Sequence, residues 1–528
     1  MPSAETTSTV WPAIPTPAQL RAGPPIRLAP GRHLTLTGAD QGSSDWFTEL
    51  ANTLHGIDVT HPHGTGHSRA DIVVDIDPSQ PGPSPSGIDP RPHPHAAEHY
   101  RLVASTAGIR ITAASPAAAF RALSTTAQIL EVREGQVWAH AATVADVPRY
   151  AWRGLSLDVA RHFLPAADIR SVIDLLALYG LNVLHLHLTD TEGWRLESRT
   201  WPALTRSETS GARNYYTRAE FNDLVAYAAR RQVTIIPEVD LPGHTGSAID
   251  AYPDLEGDRP ARHPRLRFLH PDVDLARSFA TDVVREFAEI APGPFLHIGG
   301  DEPFGMHYED YARFVHHVHT VARESGKRVV GWQETARTGV LDHRDVVQYW
   351  LDLPDEFDPE AIKTTVPSEY HPLVDHAAET FRAAPGDPPA AVRSGVPLLM
   401  SPNSRIYLDR PYSEQAATSS QEHDRSRLGL PAYRPTTLEQ SYSWTPDGLA
   451  AEIAPEGATV AGVEAAMWGE TLTSMDDLAF LLLPRLVGVA ERAWSRSPAP
   501  WRTHQATWNT QARFWSALSF NGYFQVDR

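Results

Sequence analysis

The chain has 528 residues, 41% hydrophobic and 21% charged, proportions that suit a globular protein with a sizeable core and exclude disorder as its main state. Its 64 acidic against 46 basic side chains leave a net charge of -18, which opposes binding to a nucleic-acid backbone or an anionic membrane. Cysteine is absent, so disulfides, thiolate metal sites and a cysteine nucleophile are excluded together.

Residues 1–30, rich in proline, threonine and alanine without apolar periodicity, are expected to form an extended lead-in. The first twenty lack a basic start and an apolar run, so a soluble chain is expected, cytoplasmic in preference to secreted. A small α+β domain follows over 31–148, with strands at Asp71–Asp75, Tyr100–Val103 and Ile109–Thr112 and a helix over Ala117–Leu130. Its loops carry His61, His63 and His67 in HPHGTGH and His93 and His95 in RPHPH. Loop histidines among glycine and proline are usually solvated, so no metal is assigned to them.

From residue 149 to 528 short β-rich apolar runs alternate with helical patterns, the signature of parallel β/α units. Eight strands are expected: Leu155–Val159, Val183–Leu188, Val233–Glu238, Phe295–Ile298, Arg328–Trp332, Val346–Trp350, Pro397–Ser401 and Val460–Met467. The first helix opens at Pro165, repeats its apolar face at Ile169, Val172, Ile173 and Leu176, and closes at Gly180. The fold class is therefore α/β, a (β/α)8 TIM barrel preceded by the small α+β domain. The gap between strands five and six is too short for a full helix, and long excursions follow strands three, six and seven, on the side where this fold builds active sites.

Polar residues cluster just after the strands: Arg161 and His162 after the first, Asp190 after the second, Asp240 and His244 after the third, Asp301 and Glu302 after the fourth. Acid–base chemistry is the natural hypothesis. Tryptophans share the position, with Trp332 and Trp350 closing strands five and six and Trp468 following strand eight; their faces suit sugar rings, although core packing is the alternative for any one of them. In HIGGDE, His297 to Glu302, two glycines allow a tight turn and present two adjacent acids. Repulsion and burial would favour one ionised and one protonated carboxyl, a stabiliser and a general acid, whereas the bare motif is equally well a turn with surface acids.

Taken with DVARHF (158–163), NVLHLHLTDTEGWR (182–195), IPEVDLPGH (236–244), GWQE (331–334) and AAMWGE (465–470), HIGGDE closely resembles the family 20 glycoside hydrolases, the β-N-acetylhexosaminidases. The motifs run in family order, and residues 100–130 also resemble the end of that family's small N-terminal domain. The resemblance implies a retaining exo-β-N-acetylhexosaminidase with no cofactor, acting on terminal β-linked N-acetylhexosamine through an oxazolinium intermediate, outside the usual two-carboxylate scheme. By motif, Glu302 is implied as general acid and base, Asp301 as the partner of the acetamido nitrogen, and Tyr407 as the hydroxyl on the acetamido oxygen.

The same resemblance implies Trp332, Trp350 and Trp468 as a box around the acetamido methyl. It places Arg161, Asp409 and Glu470 on the sugar's hydroxyls, and Asp190 and His244 as a supporting pair near the acid. Trp444, in SYSWTP, aligns loosely as a stacker for the leaving sugar. A structural salt bridge at Arg161 and a purely structural pair at Asp190 and His244 are the alternatives. His185 and His187 face one side of a strand, but no third ligand is evident and no metal is implied. Thr191–Glu192 departs from the family's acidic–glutamine pair, and the 352–396 excursion alters the pocket rim and thus the leaving-group preference. Rival functions are release of a disaccharide, as by a lacto-N-biosidase, and non-catalytic sugar binding.

Overall fold

Mixed strands and helices up to residue 146, followed by regularly alternating strands and helices, fold into two units. The structure is a computed structural model that describes residues 11–62, 70–77, 97–205, 213–258, 266–352 and 357–525. In the first unit one sheet runs in the order Gln19–Ala29, Gln136–Asp146, Tyr100–Ser105, Gly108–Ala113, Ile72–Ile76, His33–Thr37, Asp58–Thr60, with Leu130–Arg133 paired beside Gln136–Asp146. The lead-in is corrected here: from Gln19 it is a strand of this sheet. Its ladder shifts register between Ala22 and Pro25, so the prolines sit at an irregularity on an edge strand, where a missing N–H costs least.

Helices Gln41–His55 and Pro116–Ile129 pack together, Trp46 stacking on Phe120 at 5.3 Å. The second lies one residue earlier than expected, capped by Ser115, and is buried nearly throughout because the barrel covers it. Arg121 on this helix and Arg153 from the barrel both bind Glu98, at 3.1 and 2.8 Å. Of the loop histidines, His61 pairs with Thr48 at 3.0 Å, whereas His63, His67, His93 and His95 lie outside the described residues.

The second unit is a closed parallel barrel of eight strands: β1 (Trp152–Asp158), β2 (Val183–His187), β3 (Thr234–Glu238), β4 (Phe295–His297), β5 (Arg328–Trp332), β6 (Val346–Tyr349), β7 (Leu398–Met400) and β8 (Val460–Met467). All eight expected strands are present, β1 starting three residues early. Pro165 caps helix Ala166–Leu178, and Gly180 takes the left-handed conformation just beyond it. Between β5 and β6 there is only the 3-10 turn Gln333–Thr338, as the short gap required.

Alternate strand residues point inward and stack in layers. The floor is apolar: Trp152, Val183, Ile236, Phe295, Val330 and Val346, with Leu399 and Ala461. One step nearer the strands' C-terminal ends the same faces carry His185, Glu238, His297, Gln348 and Glu464, all buried. This polar layer is the ceiling of the floor and the base of the site. No helix among the described residues is long and apolar enough to cross a membrane.

Candidate active site

The turn after β4 puts two acids into the barrel mouth. Gly299 and Gly300 have φ of +69° and +103°, and a Cβ on Gly299 would lie 1.7 Å from Asp240 Oδ1. That oxygen accepts the Gly300 N–H at 3.1 Å, so the glycines let the β4 turn rest directly on the end of β3. Glu302 itself has φ of +46°, and His244 opposite it +52°, left-handed backbone that non-glycine residues keep only where the surroundings impose it. The side chains of Asp301 and Glu302 are 13% and 26% exposed, lining the mouth rather than filling the core.

His244, after β3, connects these acids to the rest of the mouth. Its Nε2 lies 3.5 Å from Asp301 Oδ2 and 3.7 Å from Glu302 Oε2, and its Nδ1–H donates to Asp190 Oδ1 at 3.2 Å. Burial opposes a charge on the ring, yet Asp190 and then Asp301 outweigh it and hold the imidazole well above its usual pKa. Asp190 Oδ2 also takes Arg161 at 2.8 Å. Arg161 is further held by Asp158 at 3.1 Å, approached by Glu470 at 3.4 Å and Glu192 at 3.8 Å, and lies over the Trp468 ring at 5.2 Å. The Thr191–Glu192 departure thus adds an acid beside Arg161.

Burial, then the charge of Asp301, raises two neighbouring carboxyls, Asp240 and Glu334, well above the usual range, so the neutral acids next to Asp301 include two residues the motif did not single out. Across the mouth Trp332, Trp350 and Tyr407 form one cluster with Leu351, Ala384 and Ala466, with Trp468, Phe381 and Tyr433 packed against it. Trp350 stacks parallel to Tyr407 at 6.3 Å, and Trp468 meets Trp332 at 5.8 Å and Tyr407 at 5.9 Å. The indole N–H groups are fixed by acids: Trp332 donates to Glu238 at 2.8 Å and Trp350 to Glu334 at 3.2 Å. Asp409 is 1% exposed, neither carboxylate oxygen has a hydrogen-bond partner among the described residues, and burial, then Glu470, raises its pKa well above normal.

Trp444 does not join this group. It is buried in the main core, in the turn before helix Pro446–Ile453, whose Asp447 pairs with Arg149 just ahead of β1, at the opposite end of the barrel. The aromatic residue at the mouth is instead Tyr433, edge-on to Tyr407 at 6.1 Å and within the fields of Asp409, Glu302 and Glu470. Sequence reasoning missed Tyr433, which stands in a proline-rich loop without periodicity. It also missed Glu238, Glu334 and Glu464, whose signal was a lone acid inside or directly after an apolar strand.

His185 and His187 point into the barrel and find acids there. His185, Glu238 and His297 offer ligand-type atoms within 4.8 Å of one another. They are closed on themselves, however: His185 bridges Glu238 and Glu464 at 3.1 and 2.9 Å, and His187 bridges Glu238 and Asp190 at 2.5 and 2.9 Å. With both nitrogens of each ring committed to carboxylates, the pair is a hydrogen-bonding element and not an open ligand set.

Paired acids beside stacked aromatic rings, at the C-terminal ends of a β/α barrel, are the equipment of a glycoside hydrolase. Known proteins agree. The model for glycosyl hydrolase family 20, catalytic domain, matches residues 150–313 and 305–497, and that for glycosyl hydrolase family 20, domain 2, matches 11–147. The chain belongs to this family. A β-N-acetylhexosaminidase of Cellulomonas fimi is 38% identical over 443 residues, 81% of this chain and 80% of that protein. The N-acetyl-β-hexosaminidase of Streptomyces plicatus, solved in complex with Thio-NAglucal, has a TM-score of 0.78 at 31% identity, covering 98% of this chain and 97% of that one. The GH20 β-N-acetylhexosaminidase from Streptomyces coelicolor A3(2) has a TM-score of 0.77 at 30% identity, covering 97% of both.

Proposed function

We propose that this β-N-acetylhexosaminidase is an exo-enzyme that releases single terminal β-linked N-acetylhexosamine residues with retention, the substrate's own acetamido group acting as nucleophile. The observation that carries this reading is the aromatic cluster of Trp332, Trp350, Tyr407 and Trp468 standing beside Asp301, a place for an acetamido methyl with an acid next to it. In the first step Glu302 gives its proton to the glycosidic oxygen as the C1–O bond breaks, and the acetamido oxygen bonds to C1. Asp301 balances the positive charge that develops on the acetamido nitrogen, and Tyr407 directs the acetamido oxygen. In the second step water gives a proton to Glu302 and attacks C1, the C1–O bond to the acetamido group breaks, and the amide is restored.

Arg161, Glu470 and buried Asp409 gather beside the aromatic cluster, a polar wall suited to the hydroxyls of one sugar. Asp190, which also binds Arg161, and His244 support the acid pair. The test combines two assays. On aryl β-glycosides of GlcNAc, GalNAc, 6-sulfo-GlcNAc and lacto-N-biose, product analysis is expected to show monosaccharide release; disaccharide as the main product would replace the exo reading. Fluorination of the acetyl methyl should lower kcat/KM steeply from acetyl to trifluoroacetyl, and a thiazoline mimic of the cyclic intermediate should inhibit strongly. A flat series would assign the nucleophile to the protein.

A further inference from the structure

Beneath the mouth runs a continuous line of acids and histidines that the two steps above do not use. Its hub is Glu238, the last residue of β3, fully buried. Its Oε2 accepts from His187 Nδ1 at 2.5 Å and His185 Nε2 at 3.1 Å. Its Oε1 accepts from Trp332 Nε1 at 2.8 Å, and His297 Nδ1 lies 3.0 Å away. From His187 the line continues through Asp190 Oδ2 at 2.9 Å to His244 and the Asp301–Glu302 pair. In the other direction His185 reaches Glu464, which also takes Trp152 at 2.6 Å and Gln348 at 3.1 Å.

Charge alternates along the line. An ionised carboxylate has no proton to give, so each ring nitrogen that hydrogen-bonds to one must carry a hydrogen. His187, between two carboxylates, is therefore an imidazolium, and burial, which opposes this, is outweighed by Glu238, Asp190 and Asp158. A buried carboxylate remains ionised only when cations and donors surround it. Glu238 meets that condition through His187 and His185 of β2 and Trp332 of β5, whereas His297 of β4, its pKa lowered by burial, accepts the Gly299 N–H at Nδ1. Glu464 of β8 and Asp240 just beyond β3, the latter's pKa raised by burial and then by Asp301, complete the titratable surroundings.

We propose that Glu238 is a positioning residue for the acid–base cycle: one buried charge fixes the Trp332 wall of the acetamido site and, through His187 and Asp190, the orientation of His244 beside Glu302. The two functional sides of the pocket are thereby hung on a single carboxylate. This deepens the function proposed above and rests on Glu302 as the acid.

Glu238→Gln keeps an acceptor for Trp332 and the shape of the layer but removes the charge that holds the extra proton on His187. Loss of both charges removes a dipole whose positive end, His187, is the nearer to Glu302. The potential at Glu302 becomes less positive, so Glu302 keeps its proton to higher pH. The experiment is the pH profile of kcat/KM on an N-acetyl-β-glucosaminide of a weakly acidic phenol. Glu238→Gln should move the basic limb upward by about half to one pH unit and lower kcat about tenfold, a fraction of what acid catalysis contributes, with little change in KM. His187→Gln, which cuts the same line at the next link, should move the limb in the same direction and serves if the first variant does not fold. Glu464→Gln neutralises an equally buried acid on the far side of His185 and should leave the limb at the native position. Profiles of Glu238→Gln and His187→Gln that superimpose on the native one, or an equal shift in Glu464→Gln, overturn the proposal. Failure of the acid assignment is read separately, as native rates that ignore the leaving group.

Discussion

In the proposed mechanism a proton leaves Glu302 and returns to it in every turnover, so the value of that residue depends on how badly the leaving group needs a proton. Glu302→Gln is expected to lose about 10²–10⁴-fold on alkyl or sugar leaving groups and far less on aryl glycosides with acidic phenols. Steady-state rates across a phenol series check this; equal losses throughout would remove Glu302 from the role. Asp301→Asn should also lose about 10²–10³-fold, because it withdraws charge from the developing cation, but with the native dependence on leaving group. The place of both acids at the barrel mouth was legible because glycines and acids stood together at a strand end. The single residues that hold them were less so. Asp190 and His244 came through the family motifs, whereas Glu238 sits in IPEVDLPGH as one acid in an apolar run, and only barrel closure shows that it faces His185 and His187. Trp444 failed for the converse reason: a tryptophan in a long loop is compatible with either end of the barrel, and its partner Asp447–Arg149 is unreadable until the chain is folded.

Elements with strong periodicity were legible to within a few residues, since eight β/α repeats overdetermine a barrel, and the missing helix between β5 and β6 followed from a simple gap length. Strand Gln19–Ala29 was hidden because paired prolines, which forbid a central strand, are tolerated at an edge. The excursion after β6 was expected at the rim, and helix His371–Ala383 does supply Phe381 to the aromatic cluster. The turn after β4 offers the sharpest test of an element. At Gly299 an alanine would combine a left-handed backbone with a Cβ driven into Asp240, whereas at Gly326, with φ of +77°, nothing lies within 4 Å of the added carbon. Gly326→Ala should therefore cost only the left-handed penalty of about 1–2 kcal/mol and leave kcat unchanged. Gly299→Ala should lower Tm further and abolish turnover, because the turn that aims Asp301 and Glu302 cannot stay seated on β3. Thermal melts and kcat of the two variants side by side decide it; retention of native kcat in Gly299→Ala would refute this account of the turn.

Over the whole molecule, buried groups with opposite shifts bound the pH range of stability. His504, stacked on Tyr442 at 4.3 Å, is held neutral by burial and then by Arg492, its pKa lowered to about 3. The unfolded chain protonates this ring below about 6.5 and the folded one does not until about 3, so between those values the unfolded state binds more protons and stability falls as pH falls. Glu98, where the two units meet, acts in the same direction: burial is outweighed by Arg153 and Arg121, its pKa is lowered, and its contribution is lost as pH falls through that lowered value. His185 acts in the other direction. Burial is outweighed by Glu238 and Glu464, which raise it to about 9, so its contribution is complete below about 6.5 and is lost as pH rises through about 9. Tm should accordingly be highest near pH 6.5 and decline on both sides. His504→Gln removes one proton from the acid side of this balance, so its unfolding free energy, measured by urea titration, should fall less steeply between pH 6 and 4, by up to about 1.4 kcal/mol per pH unit, while the alkaline decline keeps its native slope. Parallel acid declines in the native and His504→Gln proteins would show that the ring is already charged in the fold and that its burial is not what limits stability in acid.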